Sequence, residues 1–214
     1  MRTFVFSIFV ILIISSCTDK KQILFNGENL DGWEIFVFDT ITNPSEFFYV
    51  KDGVIETTGV PNGYLRTTEE YSNYKLHIEW RYPEKPVNSG IFLHTNGPDL
   101  IWPGHYQGQL KHEDAGDFIV HGIGMSATLR DTVYTSSDSN KPLITKLHNS
   151  SEKRPGEWNS FDILCKGNTI ELRVNGKLQN VATQLSHTKG KIGMQAEGAK
   201  IQFRNIWIVP VLKK

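Results

Sequence analysis

Residues 169–182 read "TIELRVNGKLQNVA". Ile170, Leu172 and Val174 alternate with Glu171 and Arg173, so an extended segment here has one apolar face and one charged face. The run then meets Asn175-Gly176, a pair that tolerates the positive φ angles of a two-residue turn, and a β-hairpin is predicted.

The same period of two recurs on both sides of this hairpin. "YKLHIEWRY" (74–82) puts Leu76, Ile78, Trp80 and Tyr82 on one face and His77, Glu79 and Arg81 on the other. "GIFLHT" (90–95) sets Ile91 and Leu93 against Phe92 and His94, and "GKIGMQAEGAKIQFRNIWIVPV" (190–211) holds two more strands around a turn at Glu197–Lys200. No long stripe at helical spacing interrupts them. Many short strands bounded by Gly, Pro, Asn and Asp predict an all-β single domain, a jelly-roll sandwich of two antiparallel sheets. Residues 129–154 are polar and weakly periodic, a long excursion expected to cover or border a site.

Lys plus Arg and Asp plus Glu number 23 each, so no charge excess points to nucleic acid or an anionic surface as partner. The chain opens with Arg2, an apolar run from Phe4 to Ile14 and "ISSC" ending at Cys17. That pattern is a secretory signal, too short to span a bilayer. Small residues before a cysteine resemble the bacterial lipobox. The expected organisation is a signal peptide over 1–16, a lipidated Cys17 with a short tether over 17–22, and a folded domain over 23–211. The protein would then sit in the cell envelope, in contact with membrane through its lipid alone. Cys165, in "SFDILCKG" (160–167), alternates with Phe161 and Ile163 and is read as a small buried hydrophobe.

Pleat alternation turns a polar set outward: Glu79, Arg81, His94, Gln107, Gln109, Lys111, Asp117, His121, Gln195 and Glu197. An antiparallel sheet ordinarily has one solvated face. The alternative is the floor of a sugar site, since Gln, Glu and Arg can donate or accept several hydrogen bonds at once. Trp102, in "GPDLIWPGHY" (97–106), is a stacking platform for a sugar ring or a plug for the sandwich rim, with His105 a weaker candidate beside it. "HEDAGD" (112–117) offers His112, Glu113, Asp114 and Asp117 to Ca²⁺ or another divalent cation, or is a solvated hairpin tip. There is no Gly-x-Ser-x-Gly elbow, phosphate loop or His-Glu-x-x-His. No strand carries the close carboxylate pair of an ordinary retaining glycosidase.

Seven stretches in order carry a resemblance: "LFNGENLDGWEIF" (24–36), "YVKDGVIETTG" (49–59), "GYLRTTEEYSNYKLHIEWR" (63–81), "NSGIFLH" (88–94), "GQLKHEDAGDF" (108–118), "PGEWNSFDILCKGNTIELRVNG" (155–176) and "GKIGMQAEGAKIQFRNI" (190–206). Together they resemble the 3-keto-disaccharide hydrolase family. The resemblance implies a concanavalin A-like fold and cleavage of glycosides already oxidised to a ketone at C3. Such a ketone acidifies the hydrogen on C2, so a base removes it, the oxygen on C1 leaves, and water adds back. The implied roles are a base at His94 or His121, enolate stabilisation by Arg81 or a bound cation, and an acid at Glu79 or Asp117. Gln107, Gln109, Lys111, Trp102, Gln195 and Glu197 would contact the sugar, and Arg204 would make a structural ion pair or hydrogen bond at the sheet edge. Members commonly carry Glu where this chain has Gln107. A side chain that cannot exchange a proton there keeps a second reading open, a non-catalytic carbohydrate-binding lipoprotein on the same fold.

Overall fold

The structure is a computed structural model that describes residues 20–39 and 43–212. The expected signal peptide, Cys17 and the first residues of its tether lie outside the described residues. In chain order the elements are β1 (Gln22–Ile23), β2 (Trp33–Val37), the short helix α1 (Pro44–Phe47), β3 (Phe48–Lys51), β4 (Val54–Thr57), β5 (Gly63–Thr67), β6 (Tyr74–Arg81), β7 (Gly90–Asn96) and β8 (Gly104–Gln109). They continue with β9 (Phe118–His121), β10 (Ser126–Leu129), β11 (Thr132–Thr135), β12 (Leu143–Ile144), β13 (Asn159–Lys166), β14 (Thr169–Val174), β15 (Lys177–Ala182), β16 (Lys191–Ala196) and β17 (Ile201–Pro210).

Two antiparallel sheets pack face to face. One has the order β15-β14-β13-β6-β17-β4-β3 with β1 also on β17; the other runs β12-β9-β8-β7-β16-β5-β2. The hairpin read from residues 169–182 is present: Val174 faces Lys177, with φ of 48° at Asn175 and 79° at Gly176. Alternation then sorts the side chains. Leu76, Ile78, Trp80, Phe161 and Ile163 from the first sheet meet Ile91, Leu93, Tyr106, Phe118 and Val120 from the second, all buried. Each such large side chain contributes roughly 1.5–3 kcal/mol of burial free energy. Cys165 is wholly buried in this core, and burial pushes its thiol up to about 12, so it packs as an inert hydrophobe.

The alternation fails where strands bulge, and one such place decides a site residue. In β7 the register against β8 shifts between Leu93 and Asn96, and His94 takes a φ of 51°. A bulge of this kind reverses the phase of the pleat. His94, expected to face outward, is turned inward and is fully buried edge-on between Tyr74 and Tyr106, at ring separations of 6.1 and 6.3 Å. Gly190 allows the bulge, because a Cβ there would lie 2.4 Å from the His94 carbonyl carbon.

Candidate active site

The outer face of the seven-stranded sheet carries an unusual row of rings. Phe36 on β2 stacks on Tyr64 of β5 at 5.0 Å, and Tyr64 meets Phe92 of β7 at 5.9 Å. Phe92 stacks on His105 of β8 at 3.8 Å, and His105 on His121 of β9 at 4.9 Å. Trp102 stands edge-on to Phe92 at 6.1 Å. The loop that carries Trp102 joins β7 to β8 and is tied down at Asp99 by Arg66 Nη2 at 2.6 Å. Arg66 is nearly buried and also donates through Nε to Glu34 at 2.6 Å.

Beside the rings lies a chain of amides. Gln109 Oε1 accepts the main-chain N–H groups of Leu110 and Lys111, which fixes that oxygen as an acceptor. Gln107 Nε2 therefore donates to Gln109 and also to Gln195 Oε1, each at 3.1 Å. Gln195 Nε2 in turn donates to Glu197 at 2.7 Å, where Asn88 donates as well. The three glutamines are only 5% exposed, so the polar face is neither a solvated surface nor an open floor, but a self-satisfied buried network. Gly90 makes room for it, since a Cβ there would fall 2.2 Å from Gln107 Nε2.

A cavity of about 620 Å³ opens at the other end of this face. Its wall includes His121, Asp138, Lys141 and His187, with Trp102, Phe36 of β2 and Phe38 just past the end of that strand. His121 Nδ1 lies 3.1 Å from the Pro103 carbonyl oxygen, a contact that places the ring proton on Nδ1. Nε2 has no protein partner among the described residues. Burial, and after it the positive charge of Lys141, hold His121 below the ordinary histidine value of 6.5, so the ring is neutral at pH 7 with a lone pair on Nε2. His105 is driven down to about 3 by burial and by His121, and its Nδ1 lies 2.7 Å from the same carbonyl.

The outward set therefore does not converge. Gln107, Gln109, Gln195 and Glu197 join in one network, and Trp102 and His121 line the cavity next to it. Glu79 and Arg81 do not belong there. They project from β6 on the outer face of the eight-stranded sheet, on the opposite side of the sandwich. Glu79 accepts from Arg204 Nε at 2.6 Å, and Arg81 donates to Gln202 at 2.7 Å. Alternation tells in from out but not which sheet a strand joins, and this accounts for the misplacement. The expected structural ion pair of Arg204 is the one with Glu79. His94 is excluded by the bulge, and burial lowers it to about 4.

Asp117 sits at the sheet edge and accepts the Lys146 main-chain N–H at 2.8 Å. Burial raises its carboxyl, with Lys146 opposing. Lys111 is exposed and paired with Asp114 at 2.8 Å; Lys146 also approaches Asp114 and Asp117. His112 faces Glu152 at 3.6 Å. The run proposed to hold a divalent cation thus turns its carboxylates toward lysines, and among the described residues no group of three or more His, Cys, Asp or Glu is arranged as a metal site.

Phe36, Phe38, Asp138 and Lys141 had not been singled out. A signal for the first two exists, since "WEIFVF" (33–38) alternates with both Phe rings outward. Asp138 and Lys141 come from the aperiodic excursion, which does border the cavity.

The two curled antiparallel sheets with a cavity over one outer face define a concanavalin A-like β-sandwich. A protein of Parabacteroides distasonis provisionally named a glycosyl hydrolase shares this fold with a TM-score of 0.67 at 22% identity, over 91% of this chain and 95% of that one. A β-glucanase of Bacillus licheniformis matches with a TM-score of 0.56 at 16% identity, covering 89% and 97%. The carbohydrate-binding module CBM66 of Bacillus subtilis matches at 0.53 and 10%, covering 82% and 93%. At these identities the likeness is one of fold. The family model described as the 3-keto-alpha-glucoside-1,2-lyase-like domain matches residues 20–209, and the chain belongs to that family. No curated protein matches the sequence.

Proposed function

We propose that this protein cleaves glycosides whose sugar carries a ketone at C3, with His121 as the base. The observation that carries this reading is the state of His121: a cavity-lining residue, neutral, held in one tautomer by Pro103, whose buried Nε2 is satisfied by no protein group among the described residues and so is left for a ligand that enters beside it. Nε2 takes the proton from C2, and the electron pair moves into the enolate of the C3 ketone. The enolate then expels the oxygen on C1, breaking the glycosidic bond and leaving a C1=C2 double bond conjugated to the ketone. Water adds to C1 and a proton returns to C2, so the sum is hydrolysis. Lys141, whose charge is felt at His121, stabilises the enolate, and the leaving oxygen takes its proton from the water whose hydroxide then adds to C1.

This assignment needs no carboxylate pair, in keeping with the sequence. Replacing His121 by Asn should lower kcat on a 3-keto-glycoside by about 10²–10⁴-fold with the fold intact. Unchanged turnover would remove His121 from the mechanism.

A second reading rests on Gln107. Gln107 itself is an amide that cannot exchange a proton, and a carbohydrate-binding protein would need no acid or base at that place. It predicts saturable sugar binding without turnover. On either reading we place the protein in the cell envelope, tethered by lipid on Cys17. Cys17→Ser should release it from the membrane fraction, and retention there would refute the anchor.

A further inference from the structure

Most titratable groups of the cavity gather toward one end, where the exposed Ile123 also lies. His121, Asp138, Lys141 and His187 come from β9 and from segments after it, whereas Phe36 and Phe38 come from β2 and its end. Four strands separate β2 from β9 in the sheet, a span of about 24 Å at ~4.8 Å per strand before curvature. Such a cavity holds more than one sugar ring.

At the β2 end the polar groups on the wall are already engaged. Asp99 accepts from Arg66, and Asn96 donates to the His94 carbonyl oxygen at 3.0 Å. A second sugar there would exchange water for few hydrogen bonds and leave its hydroxyls unpaired, which is costly. What remains is apolar and open: Phe38 is 61% exposed and Leu100 54%, both on the cavity wall with Phe36 and Trp102. Exposed apolar residues gathered around one cavity mark a ligand surface rather than scattered surface hydrophobes.

We infer that the group leaving from C1 is an apolar, ring-bearing aglycone, seated among Phe36, Phe38, Leu100 and Trp102 while the keto sugar lies at the His121 end. This rests on the reading above for the sugar end only. The β2 end acts through binding, so the preference appears chiefly in KM.

The test compares the 3-keto derivative of 2-naphthyl glucoside with a 3-keto-disaccharide as substrates. Unoxidised 2-naphthyl glucoside is titrated separately by calorimetry, a measurement that requires no turnover. The wild type should favour the naphthyl substrate at least tenfold in kcat/KM. Phe38→Asn and Leu100→Asn, at exposed positions where folding is spared, should abolish that preference by raising KM for the naphthyl substrate. Naphthyl glucoside should bind the wild type and bind at least tenfold more weakly to each variant. Binding that follows this pattern without any turnover upholds the aglycone site and sinks the reaction assigned above. Turnover of both substrates without preference, or no naphthyl binding, overturns the aglycone site.

Discussion

His94 and His121 have the same side chain and opposite fates. His121 retains a lone pair on a cavity wall, and its depressed value places the acid limb of kcat/KM below pH 6.5, with a plateau through neutral pH. A pH–rate profile checks this, and a limb above 6.5 would contradict it. His94 also has a buried, unpartnered Nε2, but the ring is wholly enclosed between Tyr74 and Tyr106 and does not line the cavity. Its folded value near 4 lies below the unfolded value near 6.5, so the unfolded chain binds the proton more readily between those limits. Stability is therefore full above about pH 6.5 and falls as the pH drops toward 4, by up to ~1.4 kcal/mol per pH unit from this one group. Urea unfolding at pH 7 and pH 5 should show the loss, and His94→Gln should flatten it. His105, lowered further, adds to the same slope. In sequence both His94 and His121 read simply as outward histidines. The distinction depends on a positive φ at a residue other than glycine, which side-chain pattern does not reveal.

Among the elements, β7 shows how far alternation can be carried. Ile91, Phe92 and Leu93 follow it, and the bulge then reverses the phase for His94. The bulge is secured by contact with Gly190, whose missing side chain faces backbone that cannot rotate away. Gly190→Ala should cost on the order of 1–3 kcal/mol in denaturant unfolding, as overpacking does. A neutral result would mean that the bulge relaxes freely. The hairpin β14–β15 needed only its period and Asn175-Gly176 to be read in advance. The wall built by Asp138 and Lys141 could not be, because a polar excursion without periodicity fixes no face.

The whole molecule has two outer faces, and the account assigns chemistry to one. Alternation correctly found both faces but merged them, since sheet order depends on long-range pairing such as β17 with β6 and β4. The double variant Glu79→Gln, Arg81→Ala lies on the opposite face and should turn over a 3-keto-glycoside within about twofold of wild type, as distant surface changes do. A loss as large as that expected for His121→Asn would move the site to the other sheet.

The decisive measurement incubates the chain from Thr18 onward with matched 3-keto-glycosides and their unoxidised parents, with and without divalent cations, and follows sugar release. Release is expected from the keto substrates alone and is lost in His121→Asn. Release from the parents at a comparable rate, or none from any substrate under either condition, would contradict the reaction assigned to His121.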